Sequence, residues 1–236
     1  MKLKKLLFVA MASLVFSLGI QAQTADEIIT KHLTALGGVE NIKKINTVIT
    51  KMNLTVQGIK VPIVTYQTQN EGMKFTFTFG GKTGYTILTK TEGWNFDPIQ
   101  QGHTKAEPMT PDDVKKGAED LDIQGALVDY KAKGYTVESL GSDDVDGTDC
   151  YKLKATSKEG KETTYFISKE DNMIIKQVSK TTVNGKEIEQ ASTFSNYKKV
   201  SGVMMPFSIV SGFGPMEVEA YEVNVPINAS EYKPAN

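Results

Sequence analysis

The 236-residue chain contains no arginine; all 27 of its basic residues are lysine. Arginine's planar fork is the usual clamp for phosphates and for nucleic acid, so its absence argues against either role. Cysteine is almost missing too. Cys150 stands alone, so no intrachain disulfide can form and the core must hold itself. His32 and His103 are the only histidines. Two histidines and one cysteine are a poor set for a zinc site. No Gly-x-Ser-x-Gly elbow occurs. Neither enzymatic activity nor a metal or cofactor is expected. Beyond Ile20 no segment is apolar enough to span a bilayer.

What is present begins with Met-Lys-Leu-Lys-Lys, an apolar run from Leu6 to Ile20, and small Ala22 before Gln23. A basic start, a short apolar run and a small-residue site predict a secretory signal peptide over residues 1–22. No cysteine stands at the cleavage point, so lipid attachment there has no support. The remainder, residues 23–236, suits one domain. Losing Lys2, Lys4 and Lys5 leaves 24 lysines of the 27 against 28 acidic residues, a net charge of −4.

Residues 73–96 organise the rest. Phe75, Phe77 and Phe79 alternate with polar residues, so their rings share one face of a strand. Glycines 80, 81, 84 and 93 punctuate the run, which resumes at Tyr85 and Ile87 and again at Trp94 and Phe96. The pattern predicts three antiparallel strands with one aromatic face. Burying one Phe is worth roughly 2–3 kcal/mol, so that face needs a cover. The residues leave open whether the cover is the protein's own core or an apolar ligand.

Upstream, Thr24-Ala-Asp-Glu27 is a capping box. Ile28, Ile29, Leu33 and Leu36 follow at helical spacing, with His32 on the apolar side, and Gly37-Gly38 as a stop. His32 reads as a buried helix residue rather than a ligand. A short second turn is expected over 40–45. Thr110-Pro111-Asp112-Asp113 starts another helix. Residues 110–131 read as one or two short, weak helices, either a lid or a plain crossover. Elsewhere alternating runs are separated by Asp-Gly and Asn-Gly turns, the last at Asn184-Gly185. The expected fold is α+β, mainly β: an antiparallel sheet of about ten or eleven strands in meander order, strongly curled or closed into a barrel, with helices on one side.

Two polar clusters carry little. Asp143, Asp144, Asp146 and Asp149 surround Gly147, but an EF-hand register ends at Leu153, where a bidentate Glu is required. A solvated hairpin turn fits better. Gly81-Lys82-Thr83 lacks the upstream glycine of a phosphate loop. Cys150 shares a strand face with Lys152 and Lys154, which would lower its pKa. Apolar surface remains: Met52, Leu54, Phe75, Phe77, Tyr85, Ile87, Trp94, Phe96, Tyr151, Leu153, Tyr165 and Ile167 could all point inward and line a hydrophobic cavity.

Several segments, in order, resemble the periplasmic lipoprotein-carrier superfamily, the LolA/LolB-like proteins, in its outer-membrane lipoprotein-sorting form. They are Ala35-Leu-Gly-Gly38, Gly93-Trp94, Leu127-Val-Asp-Tyr-Lys131, Gly147-Thr-Asp-Cys-Tyr-Lys-Leu153, Gly202-Val-Met-Met-Pro-Phe207 and Val223-Asn-Val-Pro-Ile227. The resemblance implies an unclosed barrel lidded by helices, here 24–45 and 110–131. It implies a periplasmic, monomeric chaperone-like carrier in a Gram-negative cell. Lipoprotein acyl chains or other lipid would be its ligand, and inner- and outer-membrane proteins its partners. An envelope sensor or protein-interaction module on the same fold is the alternative. Known carriers latch the lid with an arginine inside the barrel; this chain has none to supply it.

Overall fold

The computed structural model describes residues 23–183 and 186–234. The predicted signal peptide and the Asn184-Gly185 turn lie outside the described residues. Thirteen strands form one sheet, against the ten or eleven expected. They are β1 (Thr47–Val56), β2 (Ile59–Thr68), β3 (Gly72–Phe79), β4 (Lys82–Thr89), β5 (Gly93–Phe96), β6 (Glu107–Pro108) and β7 (Thr136–Val145). Then come β8 (Thr148–Thr156), β9 (Glu162–Ser168), β10 (Ile174–Val183), β11 (Lys186–Val200), β12 (Val203–Ser211) and β13 (Gly214–Val223). Two of the differences are local. The two-residue β6 pairs with β5 inside what reads as a loop. The aspartate-rich stretch extends β7 as a strand, with a register shift between Ser139 and Ser142.

The sheet order is β6-β5-β4-β3-β2-β1-β13-β12-β11-β10-β9-β8-β7, antiparallel throughout and not closed. It is a meander except at one place: the first strand pairs with the last, Val48 opposite Val223 and Leu54 opposite Met216. The two outermost strands, β6 and β7, are joined by residues 109–135. The insertion therefore links the two edges that an open barrel leaves apart.

Three α-helices accompany the sheet: α1 (Ala25–Ala35), α2 (Val39–Lys43) and α3 (Pro111–Gly117). α1 starts on the predicted capping box. The Thr24 hydroxyl accepts from the Glu27 amide (3.3 Å), and the Glu27 carboxylate accepts from the Thr24 amide (3.1 Å). It ends on Gly37, whose φ of 119° favours glycine. A side chain there would also strike the Gly202 carbonyl at 2.2 Å, and the Met204 amide donates to the Leu36 carbonyl nearby (2.8 Å). That close approach fixes α1 against the β11–β12 turn.

Ile28, Ile29 and Leu33 of α1 share one core with Val48 of β1, Val203 of β12, Leu153 of β8 and Ile167 of β9. Laid flat, β1 and β8 would stand about 29 Å apart, six spacings of roughly 4.8 Å. One 11-residue helix, about 16 Å long, reaches both because the sheet curls round it. Each buried Ile or Leu contributes about 1.5–3 kcal/mol.

His32 lies in this interface, 3% exposed. Its Nδ1 is 2.8 Å from the Asn172 carbonyl, which only accepts, so that nitrogen carries the proton. Burial pushes its pKa down; the carbonyl contact opposes this more weakly. In the unfolded chain an imidazole titrates near 6.5. Below that value the unfolded state takes up a proton that the folded state resists, so stability falls as pH drops through it. The urea midpoint is expected to decline between about pH 7.5 and 5.5. His32→Gln, which keeps a donor for Asn172, is expected to flatten that decline; an unchanged slope would show that His32 is not its source.

Candidate functional site: an apolar wall inside the half-barrel

Register decides which side chains share the inner, helix-bearing face. Val48 lies in the helical core, and residues paired directly across an antiparallel ladder point the same way. Following the pairs from β1 outward, Met52 faces Ile63, and Leu54 faces Val61. Ile63 in turn faces Phe77. In the other direction Met52 faces Val218 and Leu54 faces Met216, and Met216 faces Ile209. These side chains form one apolar wall across β3, β2, β1, β13 and β12.

Cover along the wall is uneven: Ile63, Val61 and Val218 are buried within it, while their neighbours toward the rim are not. Along β1, exposure rises from 7% at Val48, under α1, to 40% at Val56. Met52, Leu54, Phe75, Phe77, Phe207, Ile209 and Met216 are half-buried. The Phe75 and Phe77 rings lie 6.5 Å apart, tilted. Phe77 extends over Gly84, where an added Cβ would meet its ring at 2.3 Å. Glycine at 84 thus lets the ring lie flat on β4.

The far end of the wall opens at a rim of turns. The β1–β2, β3–β4 and β12–β13 turns all fall at the end opposite α1. Among the described residues, the exposed large apolar side chains at this rim are Val56, Ile59, Phe79, Ile99, Ile188, Val210 and Phe213. Leu140, on edge strand β7, is the exception. Phe213 is 78% exposed.

The predicted single aromatic face divides in two. Phe77 pairs with Gly84 and Phe75 with Thr86, whereas Tyr85 pairs with Phe96 and Ile87 with Trp94. Tyr85, Ile87, Trp94 and Phe96 therefore lie on the outer face, away from the wall. Ile87 is fully buried there. A short 3-10 turn, Ala229–Tyr232, lies against β3 and β4 on that side. Tyr232 packs over Gly72 and hydrogen-bonds Thr68 (2.7 Å), while Glu231 pairs with Lys74 (2.8 Å). The C-terminal segment is the cover the outer aromatics required.

Tyr151, Leu153, Tyr165 and Ile167 do face inward, as predicted. They belong to the packed core or lie against it, with Leu153 and Ile167 fully buried beneath the helices. Cys150 is on the outer face of β8, buried with Val145 and Phe166. Desolvation, with Asp149, Asp144 and Asp143 adding to it, pushes its thiol pKa up, the reverse of the activation expected from nearby lysines. The aspartate cluster is a paired hairpin: Asp143 meets Lys152 (2.9 Å), Asp149 meets Lys169 (2.9 Å), and Asp144 accepts from the Gly147 amide (2.9 Å).

The insertion, expected over 110–131 as a lid or a plain crossover, packs against β4 at one end and the β8–β9 turn farther on. Thr110 caps α3 by accepting from the Asp113 amide (3.2 Å). Val114 and Leu121 pack on Leu88, beside Met73 and Met109. Close contact at Gly117 makes room for Leu88, since a Cβ would meet it at 2.7 Å. Leu127 and Val128 enter the core beneath α1, and polar ties hold the stretch between. Gln69 donates to the Asp122 carboxylate (2.7 Å) and accepts from the Ile123 amide (2.8 Å), and Lys133 pairs with Asp122. Asp120 pairs with Lys161 of the β8–β9 turn (2.8 Å). Gln69 thus ties the insertion to the β2–β3 turn.

Sequence reasoning missed a second inner feature. Beside the wall, β9–β11 turn Thr163, Tyr165, Gln177, Ser179, Gln190 and Ser192 toward the same face, as the pairs Gln177–Tyr165, Ser179–Thr163, Gln177–Ser192 and Ser179–Gln190 require. They line a cavity of about 500 Å³ beneath residues 119–126. The available signal was polar residues two apart on consecutive strands, which a search for apolar alternation passes over.

No family model matches the chain. An uncharacterized protein of Bacillus subtilis, YkoJ, is 32% identical over 102 residues, 42% of this chain. That match spans 59% of the relative's length. Solved structures resemble nearly all of the chain. A DUF1329 family protein from Desulfovibrio piger has a TM-score of 0.57 at 12% identity, covering 88% of this chain and 96% of its own. A LolA superfamily protein from Nitrosomonas europaea has a TM-score of 0.55 at 13% identity, covering 90% and 99%. A putative outer membrane lipoprotein-sorting protein domain from Vibrio parahaemolyticus has a TM-score of 0.51 at 12% identity, covering 88% and 95%. The fold is LolA-like.

The division into packed core and open wall makes a differential prediction. Leu153→Ala is expected to cost about 2–5 kcal/mol. Phe77→Ala is expected to cost about 2 kcal/mol or less, because its ring is only partly withdrawn from water. Urea denaturation of the two variants checks this, and equal costs would contradict the wall's being open.

Proposed function

We propose that the chain is a non-enzymatic periplasmic carrier or binding protein for acyl chains, those of lipoproteins in the first place. One observation carries this reading: the inner apolar wall of Met52, Leu54, Phe75, Phe77, Phe207, Ile209 and Met216 is half-buried and open toward the rim. Soluble proteins rarely leave a large contiguous apolar surface without a partner. Apolar clefts with a few polar groups are the usual form of a small-molecule site.

An acyl chain is the simplest match to such a wall. It is apolar along its length, needs no hydrogen bonds, and gains about 0.8 kcal/mol per buried methylene. The LolA superfamily and lipoprotein-sorting structures that share the fold are consistent with such a ligand. The basic-then-apolar start of the chain fits export. Apolar turns at the rim, Phe213 above all, would meet the membrane or the membrane protein from which a chain is taken.

A fluorescent fatty acid titrated into the purified protein tests the reading. Binding is expected to weaken about tenfold or more for Phe75→Asp and for Leu54→Asp, since a carboxylate on the wall must be desolvated against the chain. Trp94→Leu, on the outer face, is expected to bind like the parent. No probe binding, with capture of one stable protein partner instead, would replace the carrier by the interaction-module reading. Equal loss from Trp94→Leu would remove the wall as the site.

A further inference from the structure

The inner face changes character abruptly between β12 and β9. On β12 the inward positions are Val203, Met205, Phe207 and Ile209; Phe194 of β11 faces Ile209 across the ladder. Two residues along the same strand the inward side chains become Ser192 and Gln190. From there to β9 the inward positions hold hydroxyls and amides. This is costly placement for an inner face. A polar group withdrawn from water costs free energy unless it is hydrogen-bonded. Part of the cost is met internally: Thr163 and Ser179 hydroxyls lie 3.3 Å apart, and the Gln177 amide donates to Ser179 (3.4 Å). The remaining hydrogen-bonding capacity faces the cavity of about 500 Å³, within the range of ordinary ligand sites.

We propose that this cavity receives the head of an amphiphile whose chain lies on the apolar wall, and that the head is uncharged and rich in hydroxyl groups. The proposal rests on the carrier reading and specifies the ligand's class. Three observations select a neutral polyol. First, six of the seven residues that β9–β11 contribute to the cavity carry no charge, Lys180 being the seventh. Tyr165 stays a neutral phenol, because burial pushes its pKa well up. Second, the charged groups at the cavity's border are already paired: Asp120 with Lys161 (2.8 Å), Asp122 with Lys133, and Lys180 with Glu162 (3.6 Å). Glu119 is raised above the ordinary carboxylate range by burial and contacts Ser157 and Glu159. A phosphate head would have to break one of these pairs or be desolvated without a partner. Third, amides and hydroxyls at about 5 Å spacing on adjacent strands can each donate and accept, which matches the many alternating donors and acceptors of a glycerol or sugar.

Competition against the fluorescent fatty acid tests this with four single-chain compounds sharing a dodecyl chain. They are monolaurin, dodecyl glucoside, dodecyl phosphate and dodecyltrimethylammonium, each below its micellar concentration. Monolaurin and the glucoside are expected to displace the probe about tenfold more effectively than the two charged compounds. Whichever of the two leads distinguishes a glycerolipid source from a glycolipid one. Gln177→Leu combined with Ser192→Val is expected to abolish that preference while leaving the fatty acid itself bound. Gln190→Leu, at an exposed position, is expected to weaken the preference without a folding penalty. Equal displacement by all four, or a preference that survives these variants, overturns the head assignment alone. Failure of every compound to bind overturns the carrier reading with it.

Discussion

A mismatch of lengths governs this molecule. A ten-residue strand is about 33 Å long, and β1, β2 and β13 each have ten residues. A helix laid across such strands shields a band about 10–12 Å wide. α1 and its neighbours therefore cover the upper third of the inner face; below it Ile63, Val61 and Val218 are still buried, while Met52, Leu54 and Phe77 are half-buried. Sequence alternation continues to place apolar residues inward below that band, down to Val56, Ile59 and Phe79. The consequence is an apolar wall with a packed end and an open end. Leu153 and Phe77 sit on the same face of one sheet, yet the first is fully buried and the second only half-buried.

The unclosed sheet sets the second constraint. Its edges, β6 and β7, must be connected by the chain, and the connection is the helical insertion. The insertion buries few side chains, chiefly Val114, Leu121, Leu127 and Val128. Its other ties are hydrogen bonds and ion pairs, each worth about 0.5–1.5 kcal/mol net. Separating the 118–124 portion from Gln69, Asn70 and Lys161 would expose Leu121 and break a handful of such contacts, and leave every strand pair intact. Separating α1 would expose Ile28, Ile29 and Leu33 together. The two covers differ in degree: α1 gives its whole apolar face to the core, whereas the insertion enters the same core only through Leu127 and Val128.

Local chemistry was legible in the sequence. The capping box at Thr24, the Pro111 helix start, the Gly37 stop and the Asp146-Gly147 hairpin each depend on residues within one turn of one another. The mainly-β meander also followed from alternating runs and turn pairs, whereas its unclosed form followed only from the family resemblance. The pairing of β1 with β13 was not legible, because it joins residues about 170 positions apart and no local pattern encodes it. The aromatic face failed for a simpler reason, which is parity. Phe79 pairs with Lys82 across a two-residue turn, so the face carrying Phe75 and Phe77 continues at Lys82, Gly84, Thr86 and Leu88. Tyr85 and Ile87 are an odd number of residues away and point outward. Aromatic character was followed across the turn where parity had to be.

Parity also explains why the polar patch sits where it does. β9 holds Tyr165 and Ile167 inward near α1 and Thr163 inward farther down; β11 holds Phe194 inward and then Ser192 and Gln190. The change from apolar to polar occurs at one level on neighbouring strands, which scattered surface substitutions would not produce. It lies beneath residues 119–126, the part of the insertion attached most by polar contacts. A ligand satisfying Gln177, Ser192 and their neighbours would thus meet the insertion at Glu119 and Asp120 as well. In a chain without arginine, a neutral head held by amides and hydroxyls could couple occupancy of the wall to the position of its cover. The coupling would arise because head and cover compete for, or share, the same few hydrogen-bonding groups.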